Sequence, residues 1–120
     1  LGIKMIYFDL DKSYIRPDAE IELAKILAVM EENPTMTIDI RSHTDCRQTA
    51  AYNAALSGRR AKSTLEWLVS KGIKKSRLTA KGYGESQLTN ACPCEPTNES
   101  SCSEEEHQLN RRSEFIITSM

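Results

Sequence analysis

Between residues 35 and 71 the hydrophobic period changes once, and that change constrains the fold more than anything else in the chain. Met36, Ile38 and Ile40 alternate with Thr37, Asp39 and Arg41. Period two predicts a strand over 35–42 with one buried and one solvated face. After a polar loop at 43–48, Ala61, Leu65 and Leu68 recur at helical spacing, which predicts a helix over 49–71 stopped by Lys71-Gly72. On that helix residues 53, 56, 57 and 60 share one side. One corner therefore displays a carboxylate (Asp45), an amide (Asn53) and a guanidinium (Arg60). Such a set suits a small zwitterion, with an ammonium for the acid and a carboxylate for the arginine fork.

The flanking segments supply the other layers. Residues 3–8 are rich in β-formers and predict a strand, with Phe8 and Asp9 at its end; Phe8 also reads as core. A helix starts at Arg16-Pro17-Asp18, with Pro in the first turn and acids at 18, 20 and 22 complementing the dipole. Leu23, Ile26, Leu27 and Met30 form its apolar stripe, and Asn33-Pro34 ends it. Residues 76–82 predict a third strand and Tyr83-Gly84-Glu85 a turn. A long excursion over 84–110 holds a short helix begun by Ser103 and the acids 104–106. Residues 112–118 close the sheet. The expectation is one α+β domain over 1–120, ordered β-α-β-α-β-β, with two helices on one face of a four-stranded mixed sheet. Trp67 is expected on the outer side of its helix, with core packing left open, and Gly58 has no evident reason to interrupt that helix.

Composition excludes several roles. A net charge of −1 gives no global pull towards nucleic acid or anionic membrane. No apolar run is long enough to cross a bilayer as a helix. The opening Leu1-Gly2 reads as a domain cut from a longer or processed protein, or as an expression remnant. Cys46, Cys92, Cys94 and Cys102 allow three pairings, although Cys92 and Cys94 are too close to suit each other. Two disulfides would tie the long excursion, as an oxidising compartment allows. The rival is zinc, with His43 and His107 as further ligands, but Cys-Pro-Cys lacks paired C-x2-C spacing. Catalysis by a Cys46–His43 pair would need a reactive thiolate and a third orienting group. A hydrolase would need a zinc triad or an acid pair, and no such spacing appears, so no enzyme is expected.

A family resemblance rests on several motifs in order: His43-Thr44-Asp45, Tyr52-Asn53, Leu56-Ser57, Arg59-Arg60-Ala61, Lys71-Gly72-Ile73, Arg77-Leu78, Gly82-Tyr83-Gly84-Glu85 and Asn110-Arg111-Arg112. Together, from Tyr7-Phe8-Asp9 to Phe115, they resemble the OmpA-like C-terminal domain of peptidoglycan-associated lipoproteins and flagellar stator proteins. The tail from Cys102 to Arg112 looks like versions from Bacteroidetes-type outer-membrane proteins. The resemblance implies non-covalent binding of peptidoglycan through the diaminopimelate of the stem peptide. It gives Asp45 the ammonium and Arg60 the carboxylate. It adds a backbone N–H from Thr44, pocket walls from Asn53 and Leu56, edge contacts from Phe8 and Asp9, and a nearby arginine at Arg112. It also implies pairing of Cys92 with Cys102, and Cys46 with Cys94 as the second pair. Gln48, Cys46 and Leu88 depart from the family's usual residues. No cofactor, metal or nucleic acid is expected, and membrane contact only through regions outside this chain, at the periplasmic side of a Gram-negative outer membrane. The alternative is a zinc-stabilised interaction module that does not touch the wall. Asp45→Ala and Arg60→Ala are each expected to abolish wall binding while the fold survives.

Overall fold

The computed structural model describes residues 4–88 and 102–120. In chain order the elements are β1 (Ile6–Tyr7), α1 (Pro17–Glu32), β2 (Thr37–Ser42), α2 (Ala50–Ser70), a 3-10 turn (Lys75–Arg77), β3 (Leu78–Gly82), α3 (Glu104–Gln108) and β4 (Arg112–Ser119). The strands form one sheet in the order β1-β4-β2-β3. β4 runs antiparallel to both β1 and β2, whereas β2 and β3 are parallel. The α+β class and the mixed sheet are as expected. Two elements differ. β1 is shorter than residues 3–8, because only Ile6 and Tyr7 pair with β4 before the chain turns away. Lys75–Arg77 winds into a 3-10 turn, so β3 begins at Leu78 rather than at residue 76.

The core lies between the sheet and the helices. Ile38 stands opposite Leu78 on one side and Ile117 on the other, and Ile40 opposite Phe115. These side chains share one cluster with Leu23, Ile26 and Met30 of α1 and Leu68 of α2. One cluster reached by both helices places them on the same face of the sheet. Full burial of such a side chain is worth roughly 1.5–3 kcal/mol, so the cluster supplies the main drive to fold. Truncating Leu68 to Ala would cost about 2–5 kcal/mol. Trp67 packs against this core with Lys71 over its ring.

Local chemistry sets the element ends. Pro17 opens α1, with Asp18 and Glu20 in its first turn. The Thr49 hydroxyl caps α2 by accepting from the Tyr52 N–H at 3.1 Å. At the other end Gly72 adopts φ +105 and donates to Val69 O at 3.0 Å, while Ile73 donates to Leu68 O at 3.2 Å. That is the Schellman arrangement, and the buried Ile73 completes it. Gly82 has a steric role: a Cβ there would lie 2.4 Å from Gly58 N and Ser57 Oγ, so β3 reaches α2 only without a side chain. Gly58 itself has no such reason, since its own Cβ would meet nothing within 4 Å. The Ser103 hydroxyl and the Glu106 carboxylate cap α3 reciprocally. No helix among the described residues is long and apolar enough to cross a membrane.

Candidate functional site

β2 ends at Ser42, and the loop after it is pinned by backbone bonds from three directions. His43 donates to Arg112 O at 2.8 Å, Thr44 to Gly84 O at 2.9 Å, and Tyr83 to Ser42 O at 2.9 Å. Ser57 of α2 fixes the neighbouring turn, its hydroxyl accepting from Gly84 N at 2.8 Å. The loop thereby holds Asp45 against α2, beside Arg111 from the segment before β4.

Asp45 is buried and engaged through both oxygens. Its Oδ1 accepts from Arg47 N at 3.0 Å, and its Oδ2 accepts from Arg47 Nη2 at 2.8 Å and Arg111 Nη1 at 3.0 Å. Burial pushes its pKa up, but the Arg47 and Arg111 hydrogen bonds outweigh burial and hold the carboxyl below its usual range. Arg60 has no exposed surface. Its Nε donates to Lys12 O at 2.8 Å, Nη1 to His43 O at 2.9 Å and Nη2 to Asp9 O at 3.0 Å, and its guanidinium lies 5.1 Å from the Phe8 ring centre. Desolvation, aided by the nearby Arg111 charge, pushes its pKa down to about 10, so it remains a cation at neutral pH. The Asn53 amide donates to Gln48 O at 3.3 Å and Glu85 Oε1 at 3.0 Å.

These groups line one cleft, together with Leu10, Asp11, Gln48 and Leu56. It is small, with a volume of about 10 Å³, roughly the space of one water. The Thr44 hydroxyl, on the same wall, is buried with no hydrogen-bond partner among the described residues. A larger groove of about 570 Å³ lies between β1 and α1, lined by Lys4, Met5, Ile6, Tyr7, Asp18, Ala19 and Glu22. Lys4 and Asp18 there are exposed, while Glu22 is half-buried and pairs with Lys25 at 3.1 Å, its Oε2 having no hydrogen-bond partner among the described residues.

Of the expected residues, Thr44, Asp45, Asn53, Leu56 and Arg60 come together on this cleft, and Phe8, Asp9 and Arg112 do not line it. Phe8 is fully buried in the core. Asp9 gives Arg60 its carbonyl, while its carboxylate is held by the Tyr14 hydroxyl and lies 3.5 Å from Arg16. Arg112 is turned elsewhere, donating to Gln87 O at 2.8 Å and lying 3.5 Å from Glu114. Arg111, Leu10 and Asp11 stand where Arg112, Phe8 and Asp9 were expected. β4 starts at Arg112, so consecutive arginines face opposite ways. Past β1, Asp11 takes φ 58, a left-handed bend that Asp tolerates and a strand-based reading does not foresee. Two further expectations change. The Thr44 N–H is occupied by Gly84 O, so its hydroxyl is the group left facing the cleft. Arg60→Ala cannot leave the fold untouched, because it strips donors from three carbonyls.

Neighbouring groups have other partners. His43 Nε2 lies 2.7 Å from Glu114 and its ring stacks on Tyr83 at 5.5 Å. Burial and Arg112 lower its pKa against the opposing pull of Glu114. Cys46 and Cys102 are both disulfide-bonded. Cys46 therefore offers no thiol to act as a nucleophile, and a zinc site would lose two of its four sulfurs. Cys92 and Cys94, the partners expected for them, lie outside the described residues.

Residues 7–101 match the family model described as the OmpA family. The peptidoglycan-associated lipoprotein of Brucella melitensis is 39% identical over 87 residues, covering 72% of this chain and 52% of that protein. A 114-residue match at 38% identity, over 93% of this chain, takes up 12% of the Gloeobacter violaceus protein named photosystem I P700 chlorophyll a apoprotein A2. The chain thus spans at most about half the length of these relatives. The crystal structure of the peptidoglycan-associated lipoprotein from Burkholderia pseudomallei superposes with a TM-score of 0.83 over 95% of this chain and 89% of that one. At 23% identity it speaks for the fold alone.

Proposed function

The chain belongs to the OmpA family, and from that premise we propose that it binds peptidoglycan without breaking it, anchoring an outer membrane to the wall from the periplasmic side. The observation that carries this reading is the cleft itself. It brings a buried cation, Arg60, to within one pocket of two carboxylates, Asp45 and Asp11, beside the Thr44 hydroxyl, which has no partner among the described residues. Opposite charges in one small space match an amino-acid head better than a simple ion. The name of the Brucella relative, a peptidoglycan-associated lipoprotein, supports the wall as partner.

In this reading the head belongs to the diaminopimelate of the stem peptide. A guanidinium has five N–H donors, and Arg60 places three on carbonyls. The remaining two meet the ligand's carboxylate, while the acids take its ammonium. The cleft opens when Leu10, Asp11 and Gln48, all exposed and on loops, move aside. Affinity is modest, because the ligand must displace hydrogen bonds that the buried Asp45 already makes and loop residues must move to admit it. In the same reading Cys92 pairs with Cys102 within the excursion and Cys46 with Cys94 ties the excursion to the binding loop; mass spectrometry of a non-reduced digest tests that pairing.

The deciding experiment is calorimetric titration with a diaminopimelate stem peptide against its lysine counterpart, which lacks the second carboxylate. Preference for the former supports the reading. Equal binding of the two removes the proposed role of Arg60.

A further inference from the structure

We propose that Arg47 is an internal competitor for the ligand's ammonium, an inference that rests on the wall-binding reading above. Arg47 and Arg111 span the same two acids. Arg47 reaches Asp45 at 2.8 Å through Nη2 and Glu104 at 2.9 Å through Nη1. Arg111 reaches Asp45 at 3.0 Å through Nη1 and Glu104 through Nη2. Two cations and two anions thus close a ring that shares Asp45 and Arg111 with the lining of the cleft.

The two arginines are not equally fixed. The Arg111 side chain is 3% exposed and also donates to Phe8 O at 3.0 Å and Gln108 Oε1 at 2.8 Å. The Arg47 side chain is 27% exposed, and its Nε has no partner among the described residues. Arg47 is therefore the member able to leave.

Its departure is what an incoming ammonium needs. A carboxylate offers about four acceptor positions. Asp45 already uses three, two of them on Oδ2. An ammonium must squeeze in beside Arg47, Arg60 and Arg111, or take the place of Arg47 Nη2. The second route keeps the local charge unchanged, since one cation replaces another at Asp45. Arg47 retains Glu104 as it swings out, so it is not left without a counter-ion. In the free protein it neutralises Asp45; in the complex it yields, and the ligand binds more weakly than the bare pocket would allow. A head without an ammonium has nothing with which to displace it.

The test is calorimetric titration of the parent, Arg47→Ala, Asp45→Asn and Lys62→Ala with a diaminopimelate stem tetrapeptide. Lys62 is an exposed cation on the groove between α2 and β3, so its removal controls for net charge alone. Arg47→Ala is expected to bind roughly fivefold tighter, the scale of a partly exposed ion pair. Lys62→Ala is expected to match the parent. With the peptide's diaminopimelate amine acetylated, the parent and Arg47→Ala are expected to bind equally weakly. If Arg47→Ala binds no tighter than the parent while Asp45→Asn loses binding, the competitor role is overturned and the wall-binding reading stands. The competitor role is also overturned if Lys62→Ala tightens to the same degree. If Asp45→Asn binds as the parent does, the wall-binding assignment fails, and the role of Arg47 with it.

Discussion

Arg60 and Arg77 make the same kind of clamp at two places in the fold. Arg77 donates to Met36 O at 3.0 Å and to Met30 O and Asn33 O at 2.8 Å, lacing the end of α1 to the approach to β2. Arg60 laces the loop after β1 to the loop after β2 through Asp9, Lys12 and His43. Both use a guanidinium fork to satisfy carbonyls that no strand or helix pairs. The difference lies in the surroundings. Arg77 is half-buried, whereas Arg60 has no exposed surface and shares a cleft with Asp45, Asp11 and Arg111. One clamp only holds; the other holds and keeps donors towards a pocket.

Substitution should separate the two. Arg60→Ala is expected to cost about 3 kcal/mol or more, since it removes a buried charge-assisted network, and to abolish peptidoglycan pull-down. Urea unfolding gives the first and sedimentation with purified wall the second. Arg77→Ala is expected to cost about 1–2 kcal/mol and to leave pull-down at the parent level. A loss of wall binding in Arg77→Ala would break the contrast. Lowering the pH probes the acid beside Arg60. The Asp45 carboxyl is held below its usual range, so the folded state binds its proton less readily than the unfolded chain. Its contribution is complete above about pH 4 and is lost as the pH falls through the depressed value. Asp45→Asn is expected to flatten that part of the acid-unfolding profile, read as stability against pH. The smallest effect is a gain: Gly58→Ala is expected to add about 1 kcal/mol, because its Cβ meets open space. No change in wall binding should accompany it.

How much of this was legible follows from the range of each interaction. Met36, Ile38 and Ile40 announce β2 by period alone, and Leu23, Ile26 and Met30 announce α1. Asp45, Asn53, Leu56 and Arg60 could be placed together because one strand, one loop and one helix fix their spacing. Arg111 was missed because a one-residue change of register decides which arginine faces the cleft, and β4's start at Arg112 is set by its partners. Asp11 was missed because its left-handed backbone belongs to a loop clamped by Arg60 from 48 residues away. Even Arg60 looked only like a ligand group; that it is also a girder depends on Asp9, Lys12 and His43 converging in space.

The strand order carries a consequence for folding. β4 follows the other three described strands in sequence, yet it lies between β1 and β2, which do not touch each other. β2 can pair with β3 and α2 can lie across them without it, but β1 finds no neighbouring strand until β4 is in place. Arg111, one wall of the cleft, arrives in the same step. Closing the sheet and completing the cleft are therefore one event, and a chain whose β4 has not docked presents only part of that cleft.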